Sequence, residues 1–510
     1  MSASSDFEAP ARGRRLHITG LLVGFIGGLP RLFFPLAAML FGARNSGRAD
    51  ILIPAIAAAV LVISFLFRWA SWTRFRYFTD DEDIRIESGL LSRTARSIPY
   101  ERIQDVSIEQ KPLARIFALG EVKFETGGGK GDEGTLSYVS IKEAERLRGL
   151  VRDRKSGAAS NDTAISTLDT AETEPLFSMD GGRLLIFGFY SFSLVIFAVL
   201  AGAAQQFDFL LDFDIWDIGA WLGIIEHNGV SLDKISLSAR IIAAMFAIFG
   251  LVAIGIVTGI VRTVVREYGF RLDQTAKGFR RRRGLLTLTD VVMPIHRIQA
   301  AAIITGPVRI RRGWYALKFI SLADDGGKKN EDGGDHVAAP FATMSEIQAV
   351  ASQADIRLPL TDMVFTKSRA SYWLDQWLIA AFVMVMATSG LIVFTDTGRY
   401  ALWAAAIAMI YALILYADWR SNGYAVDGDQ LLVRAGWWRK KLTIAPQINI
   451  QTVGISQGPL ARIRGVAQLN FGIAGGTLHL TAIPFAEARL VQHAIIDTIA
   501  KVDYSDISVK

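Results

Sequence analysis

Five stretches of the chain carry no charged residue: Ile51–Phe67, Leu184–Ala204, Ile241–Val261, Gln376–Phe394 and Ala401–Ala417. Each approaches the ~20 residues that a helix needs to cross ~30 Å of hydrocarbon. A sixth, Leu16–Ala43, is long enough but is interrupted by Pro30, Arg31 and Pro35, and it reads as a kinked first span. Between these stretches the period changes. DIRIESG, LLSRTARSIP and RIQDVSIEQ alternate apolar and polar residues, as strands with one buried face do. IKEAERLRGLV, MSEIQAVASQ and FAEARLVQHAIIDTIA return to helical spacing at the end of each alternating block. The pattern predicts about six spans in three helical hairpins, each hairpin followed by short antiparallel strands and one closing helix.

The alternating blocks repeat one another. Gly89, Pro99, Gln104, Pro112 and Phe124 are separated by 10, 5, 8 and 12 residues. Gly284, Pro294, Gln299, Pro307 and Phe319 keep the same four intervals, and so do Gly436, Pro446, Gln451, Pro459 and Phe471. Three copies of one five-point spacing indicate one structural unit used three times. The glycine joins two alternating runs and marks a hairpin turn that needs positive φ. The second proline marks the end of a strand, because proline cannot donate to a central ladder.

This order of elements resembles the bacterial pleckstrin-homology-like (PH-like) domain of YdbS- and YdbT-type membrane proteins. The resemblance rests on the hairpin glycine, the phrase IP..RIQ.V.I.Q.PL.R and the Phe-containing strand after it. The first copy carries the whole phrase as Ile98, Pro99, Arg102, Ile103, Gln104, Val106, Ile108, Gln110, Pro112, Leu113 and Arg115. The second departs most, with Ala302 and Thr305 inside the phrase, and the third has Ile448 and Asn449 in place of Glu101 and Arg102. The resemblance implies a strongly bent sheet closed by a C-terminal helix. It also implies a three-module, YdbT-type layout and a smaller one-module YdbS-like relative as a membrane protein partner. The fold class expected is a multi-pass α-helical membrane protein of about six spans with three cytoplasmic PH-like β-sheet or barrel modules.

The expected boundaries are 1–71 for the tail and first hairpin, 72–154 for module 1, and 155–182 for a flexible linker rich in Ser, Ala, Thr, Asp and Gly. The second hairpin occupies 183–262 and module 2 263–357; the third hairpin occupies 370–418 and module 3 419–505. Composition agrees with a membrane protein: of 510 residues 51% are hydrophobic and 20% charged, and mean hydropathy is +0.30. Lys and Arg in short flanks set orientation. Arg12, Arg14, Arg15, Arg68, Arg74, Arg76, Arg262, Arg266 and Arg271 lie on one side, whereas Gln205–Ile235 holds Asp208, Asp212, Asp214, Asp217, Glu226 and Asp233 against the single Lys234. Both termini and all three modules are therefore expected in the cytoplasm of a bacterium, at its cytoplasmic membrane.

Chemistry is harder to find. The chain has no cysteine, and none of its six histidines sits at metal-ligand spacing. No phosphate-cradling G-x-x-x-x-G-K-[ST] occurs, and GGGKGDEG at Gly127–Gly134 reads as a strand-to-strand turn. No catalytic residue, cofactor, metal or nucleic-acid site is expected, and the chain is not read as an enzyme. A cationic cluster does recur near the first hairpin of each module: Arg93 and Arg96; Arg280, Arg281, Arg282 and Arg283; Arg439, Lys440 and Lys441. These side chains are candidate contacts for anionic lipid headgroups, each contributing about 1 kcal/mol near an anionic leaflet, or ordinary flanking charges. The function expected is a membrane-anchored scaffold for protein assembly or anionic-lipid contact, with the bilayer, a one-module relative or a second copy as partner. The competing reading is a transporter or permeation unit built from six spans.

Overall fold

A computed structural model describes residues 13–29, 32, 52–90, 92–126, 134–155, 174–192, 236–275, 278–321, 336–359, 363–395 and 399–500. The Pro30–Arg31 break, most of Leu184–Ala204, the acidic connection Gln205–Ile235 and the loops 127–133 and 322–335 lie outside the described residues. The chain forms two compact units. The first is Met1–Glu172 with Ser178–Arg271 and Arg281–Val292; the second is Thr173–Phe177 with Leu272–Arg280 and Met293–Lys510.

In the first unit, β1 (Arg76–Thr79), β2 (Asp83–Ser88) and β3 (Thr94–Pro99) form an antiparallel sheet in that order. β4 (Ile103–Gln110), β5 (Leu119–Thr126) and β6 (Gly134–Ser140) lie side by side, antiparallel, in a second sheet. Helix Ile141–Lys155 closes the module. Its Ala144, Leu147 and Val151 fall on one stripe and are buried with Ile84, Ile103, Val122, Phe124 and Leu136. Further along the chain come β7 (Phe177–Ser178), β8 (Arg271–Thr275), β9 (Gly278–Arg283) and β10 (Leu288–Pro294).

In the second unit, β11 (Ile298–Thr305), β12 (Tyr315–Ser321) and β13 (Val337–Ala342) precede helix Met344–Ser352. The third copy has β14 (Gly423–Asp427), β15 (Gln430–Ala435) and β16 (Lys440–Pro446), then β17 (Ile450–Ser456), β18 (Val466–Ile473), β19 (Gly476–Pro484) and helix Phe485–Ala500. Each copy is thus three strands, three strands and a helix. Leu431, Ala445, Ile450, Leu469, Phe471, Ile483, Ala488 and Ile495 make the core of the third copy.

The expectation of six helical spans is overturned. Among the described residues, two helices are long and apolar enough to cross a membrane, Ala55–Arg74 and Met245–Glu267. The described chain is also rich in β-structure, with four sheets. Each charge-free stretch reads as a span in the sequence, whereas among the described residues two helices combine the length and the apolarity that a crossing needs. Helices Ser371–Thr395 and Arg399–Ser421 are long, but the described apolar helix there is only Trp373–Met386, and near the N-terminus only Thr19–Leu29. A permeation unit of six spans has no basis in this set of helices.

Segments ahead of the first and third copies pair with them. Arg14 bridges Tyr77 of β1, and the backbone N–H of His17 donates to Tyr138 O at 3.2 Å. In the third copy Thr366 bridges Tyr424 of β14, and Arg369 N–H donates to Ala482 O at 2.8 Å. In these two copies the preceding segment is therefore stitched to the first and last strands. In the second copy β7 and Asp180, which caps helix Gly181–Phe189, occupy the end of the stretch read as linker. Gly255 and Gly259, four residues apart in Ile241–Val261, serve packing inside the chain. A Cβ at Gly259 would lie 2.2 Å from Ser191 O, and one at Gly255 would lie 2.2 Å from the Phe192 ring.

Tyr77 donates to Glu143 at 2.9 Å, and Tyr424 donates to Glu487 in the same place in the third copy. Burial, then the bond to the carboxylate, raises both phenols well above their ordinary value. Burial alone would raise the Glu143 carboxyl, but hydrogen bonds from Arg146 and Tyr77 and the charges of Arg146 and Arg14 hold it below the ordinary range. A carboxyl depressed on folding stabilises the fold above its unfolded-state pKa, and that contribution is lost as pH falls through the folded value. Tyr77→Phe is expected to cost about 1.5–3 kcal/mol, the worth of a hydrogen bond to a charged group. Glu143→Gln is expected to flatten the acid side of a plot of Tm against pH, below about pH 4.5. An unchanged acid limb in Glu143→Gln would show that this carboxylate is not linked to folding.

Candidate functional site

The repeated phrase folds alike in all three copies. Gly89, Gly284 and Gly436 have φ of +114°, +116° and +85°. A Cβ there would lie 1.9 Å from Ser92 O, 1.8 Å from Thr287 O and 2.3 Å from Arg439 O, always the carbonyl three residues on. Pro99, Pro294 and Pro446 end the third strand and lead into a 3-10 turn. Pro112, Pro307 and Pro459 open five-residue helices, where the missing N–H would have had no partner. Phe124, Phe319 and Phe471 are fully buried.

The glutamine has a local reason. Pairing of the fourth and fifth strands runs Ile103↔Thr126 then Asp105↔Glu125, Ile298↔Ser321 then Ala300↔Ile320, and Ile450↔Ile473 then Thr452↔Gly472. Gln104, Gln299 and Gln451 are the extra residue of a β-bulge in each copy. A bulge bends its strand and increases the twist, as a strongly curved module needs.

The fourth strand then pairs with the third strand of the following copy. In the first unit Ile108, Glu109 and Gln110 of β4 face Asp290, Thr289 and Leu288 of β10. In the second unit Ala301 to Thr305 of β11 face Ile444 to Lys440 of β16. The register is the same in both. The residue two before the helix-opening proline (Gln110, Thr305) faces the residue six before the strand-ending proline (Leu288, Lys440). Arg148 and Arg282 both reach Asp290, at 3.3 and 3.2 Å, beside the first junction. Asn449 Nδ2 donates to Gln299 O at 3.1 Å beside the second.

The nine basic candidates differ in exposure from copy to copy. Arg93 and Arg96 are exposed at the start of β3. Of the four consecutive arginines, Arg281 and Arg283 are buried, Arg282 is exposed and Arg280 is half-buried, because a strand turns alternate side chains to opposite faces. Arg283 Nη1 lies 2.8 Å from Glu267 Oε1, so it holds the module together. Lys440 is half-buried and sits in the β11–β16 register.

Arg439 and Lys441 do come together, with a residue that the sequence reading missed. Both line a cavity of about 380 Å3 in the second unit, with Lys318, His336, Phe319 and the turn Gly475–Gly476. Its walls are β11, β12 and β16 and the β18–β19 hairpin, and no carboxylate is among its described lining residues. A signal for Lys318 existed in the comparison of copies. Its counterpart in the first copy is also a lysine, Lys123, which is bonded to Glu109 at 3.0 Å. The lining mixes apolar side chains such as Ile304, Ile473 and Leu478 with these cations, and a group of cations facing one cavity favours an anionic group such as a phosphate.

Comparison with known proteins agrees with the repeated build. The chain is 25% identical over 301 residues to the transmembrane protein YdbT of Bacillus subtilis (strain 168), covering 55% of this chain and 57% of that one. It is 26% identical over 118 residues to the transmembrane protein YdbS of the same organism, covering 18% of this chain and 72% of YdbS. The chain thus spans a little over half the length of the first of these curated relatives. No solved structure matches it. The bacterial PH domain family matches residues 25–155, 222–355 and 378–498, one segment for each copy of the spacing and most of the chain in total. On that coverage the chain belongs to the bacterial PH domain family.

Proposed function

We propose that this chain is a non-enzymatic scaffold at a bacterial membrane, whose linked PH modules engage phosphate-bearing anionic lipid through the cavity of the second unit. The observation that carries the reading is the convergence of Lys318, Arg439 and Lys441 on one cavity. Support for the location comes from the two long apolar helices and from relatives described as transmembrane proteins. The reading sets the termini and modules on the cytoplasmic side, where anionic headgroups attract basic side chains at about 1 kcal/mol each.

A titration of the full chain in zwitterionic detergent with short-chain phosphatidylglycerol, followed by tryptophan fluorescence, tests it. The wild type is expected to prefer this lipid over short-chain phosphatidylcholine, with an affinity that falls as salt rises. Replacing Lys318, Arg439 and Lys441 together by glutamine is expected to weaken binding by roughly a hundredfold, from three charges at about 1 kcal/mol each. Equal affinity for the two lipids, or a variant that binds as tightly as wild type, removes the lipid from the reading.

A further inference from the structure

The strand pairing used twice inside the chain is heterologous: the fourth strand of one copy meets the third strand of the next. Three copies joined this way leave one strand of each kind at the ends of the series. β3 is an edge of the sheet β1-β2-β3, and β17 is an edge of the sheet β17-β18-β19. Burial follows pairing. In β16, Lys441 to Ile444 are half-buried or buried, whereas their counterparts Thr94 to Ser97 in β3 are exposed. In β11 all but one residue is buried, whereas Gln451, Thr452, Gly454 and Ser456 of β17 are exposed.

We infer that β17 of one copy of this chain pairs with β3 of a second copy, continuing the internal pairing from molecule to molecule. Carrying over the register shared by both internal junctions sets Ser456 opposite Thr94, Ile455 opposite Ala95 and Gly454 opposite Arg96, antiparallel. Complementarity is built in by the repeat, since each edge has the spacing of a strand already paired elsewhere in the chain. The chemistry of the edge agrees. Monomeric proteins protect edge strands with charges or prolines, and β17, IQTVGIS, has neither. Arg96 would face a glycine, so no like charges oppose one another. Gln492 Nε2 donates to Val453 O at 3.1 Å, so the pairing is strongest from Gly454 onward. A head-to-tail contact of this kind grows into a closed ring or an open row, with backbone hydrogen bonds supplying the affinity.

This names the scaffold's partner and rests on the scaffold reading, but lipid binding and strand pairing are read out separately, so either can fail alone. Because the chain has no cysteine, thiols can be placed cleanly. Full-length chains carrying Thr94→Cys are mixed in membranes or mild detergent with chains carrying Ser456→Cys and gently oxidised. The expected product is a reducible heterodimer, absent from the single variants with a cysteine-free partner and several-fold stronger than with Gln451→Cys in place of Ser456→Cys. A chain with both cysteines should then give a ladder of multiples. No heterodimer, equal yield from the out-of-register control, or a double variant that cross-links only within itself would overturn the inference. Ile455→Pro, placed on the free edge, is expected to abolish the ladder while the far-ultraviolet circular dichroism stays that of wild type. A ladder that survives the proline would equally overturn it.

Discussion

Glu267→Ala is expected to be among the most damaging single changes in the first unit. Glu267 ends helix Leu237–Glu267 and is fully buried. Its Oε1 accepts from Arg283 Nη1 at 2.8 Å and from Arg266 Nε at 2.7 Å. Arg283 is itself only 6% exposed, so removing the carboxylate leaves a guanidinium charge inside the protein without its counter-charge. Breaking one side of such a pair costs about 3–5 kcal/mol, mostly because the remaining charge is stranded away from water. In the full chain, held in detergent or vesicles, that is a fall in Tm on the order of 10 °C. The double change Glu267→Leu with Arg283→Met should recover most of the loss, because two apolar side chains of similar volume often replace a buried pair without penalty. A double variant no more stable than Glu267→Ala would show that the carboxylate matters for another reason. The pair ties the end of an apolar helix to the first hairpin of the second copy, so its loss would also free that copy from its anchor.

The repeat was legible because it is written in residues that geometry constrains narrowly. A glycine at positive φ, a proline at a helix start and a phenylalanine in a core have few substitutes, and all three copies retain them at fixed intervals. The bulge at Gln104, Gln299 and Gln451 was marked but not understood, since a bulge appears only when the partner strand is known. Span number was read from charge-free stretches of sequence, of which two are long apolar helices among the described residues. The four arginines before Gly284 look like one basic patch in a string of letters, yet strand alternation sends Arg281 and Arg283 inward. Lys318 escaped notice for the opposite reason, since a lone lysine in ALKFISL carries no pattern of its own. Pairing between copies was hidden as well, because Leu288–Asp290 and Lys440–Ile444 are chosen by partners almost two hundred residues or more than a hundred residues away.

The phenylalanine that ends the spacing should carry the largest packing effect, and the three copies allow an internal comparison. Phe124, Phe319 and Phe471 are each 0–1% exposed. Replacement by alanine removes the transfer energy of the ring and leaves a cavity that a curved sheet and its closing helix cannot fill, a cost of about 3–5 kcal/mol. Phe319 is expected to suffer most. Its ring stacks on Phe279 at 5.3 Å and 18°, and such a pair contributes about 0.5–1.5 kcal/mol beyond burial. Native-state hydrogen exchange can read each site in the intact chain, because Phe124 lies in the first unit and Phe471 in the second. Phe124→Ala is expected to speed exchange in β4 to β6 by roughly a hundredfold or more, while β17 to β19 keep their protection. Phe471→Ala should give the converse. Phe→Leu at the same positions, which keeps most of the volume, should cost well under half as much. Equal acceleration throughout the chain from either alanine would mean that the copies open together, and that the strand pairing between them couples their stability instead of merely aligning them.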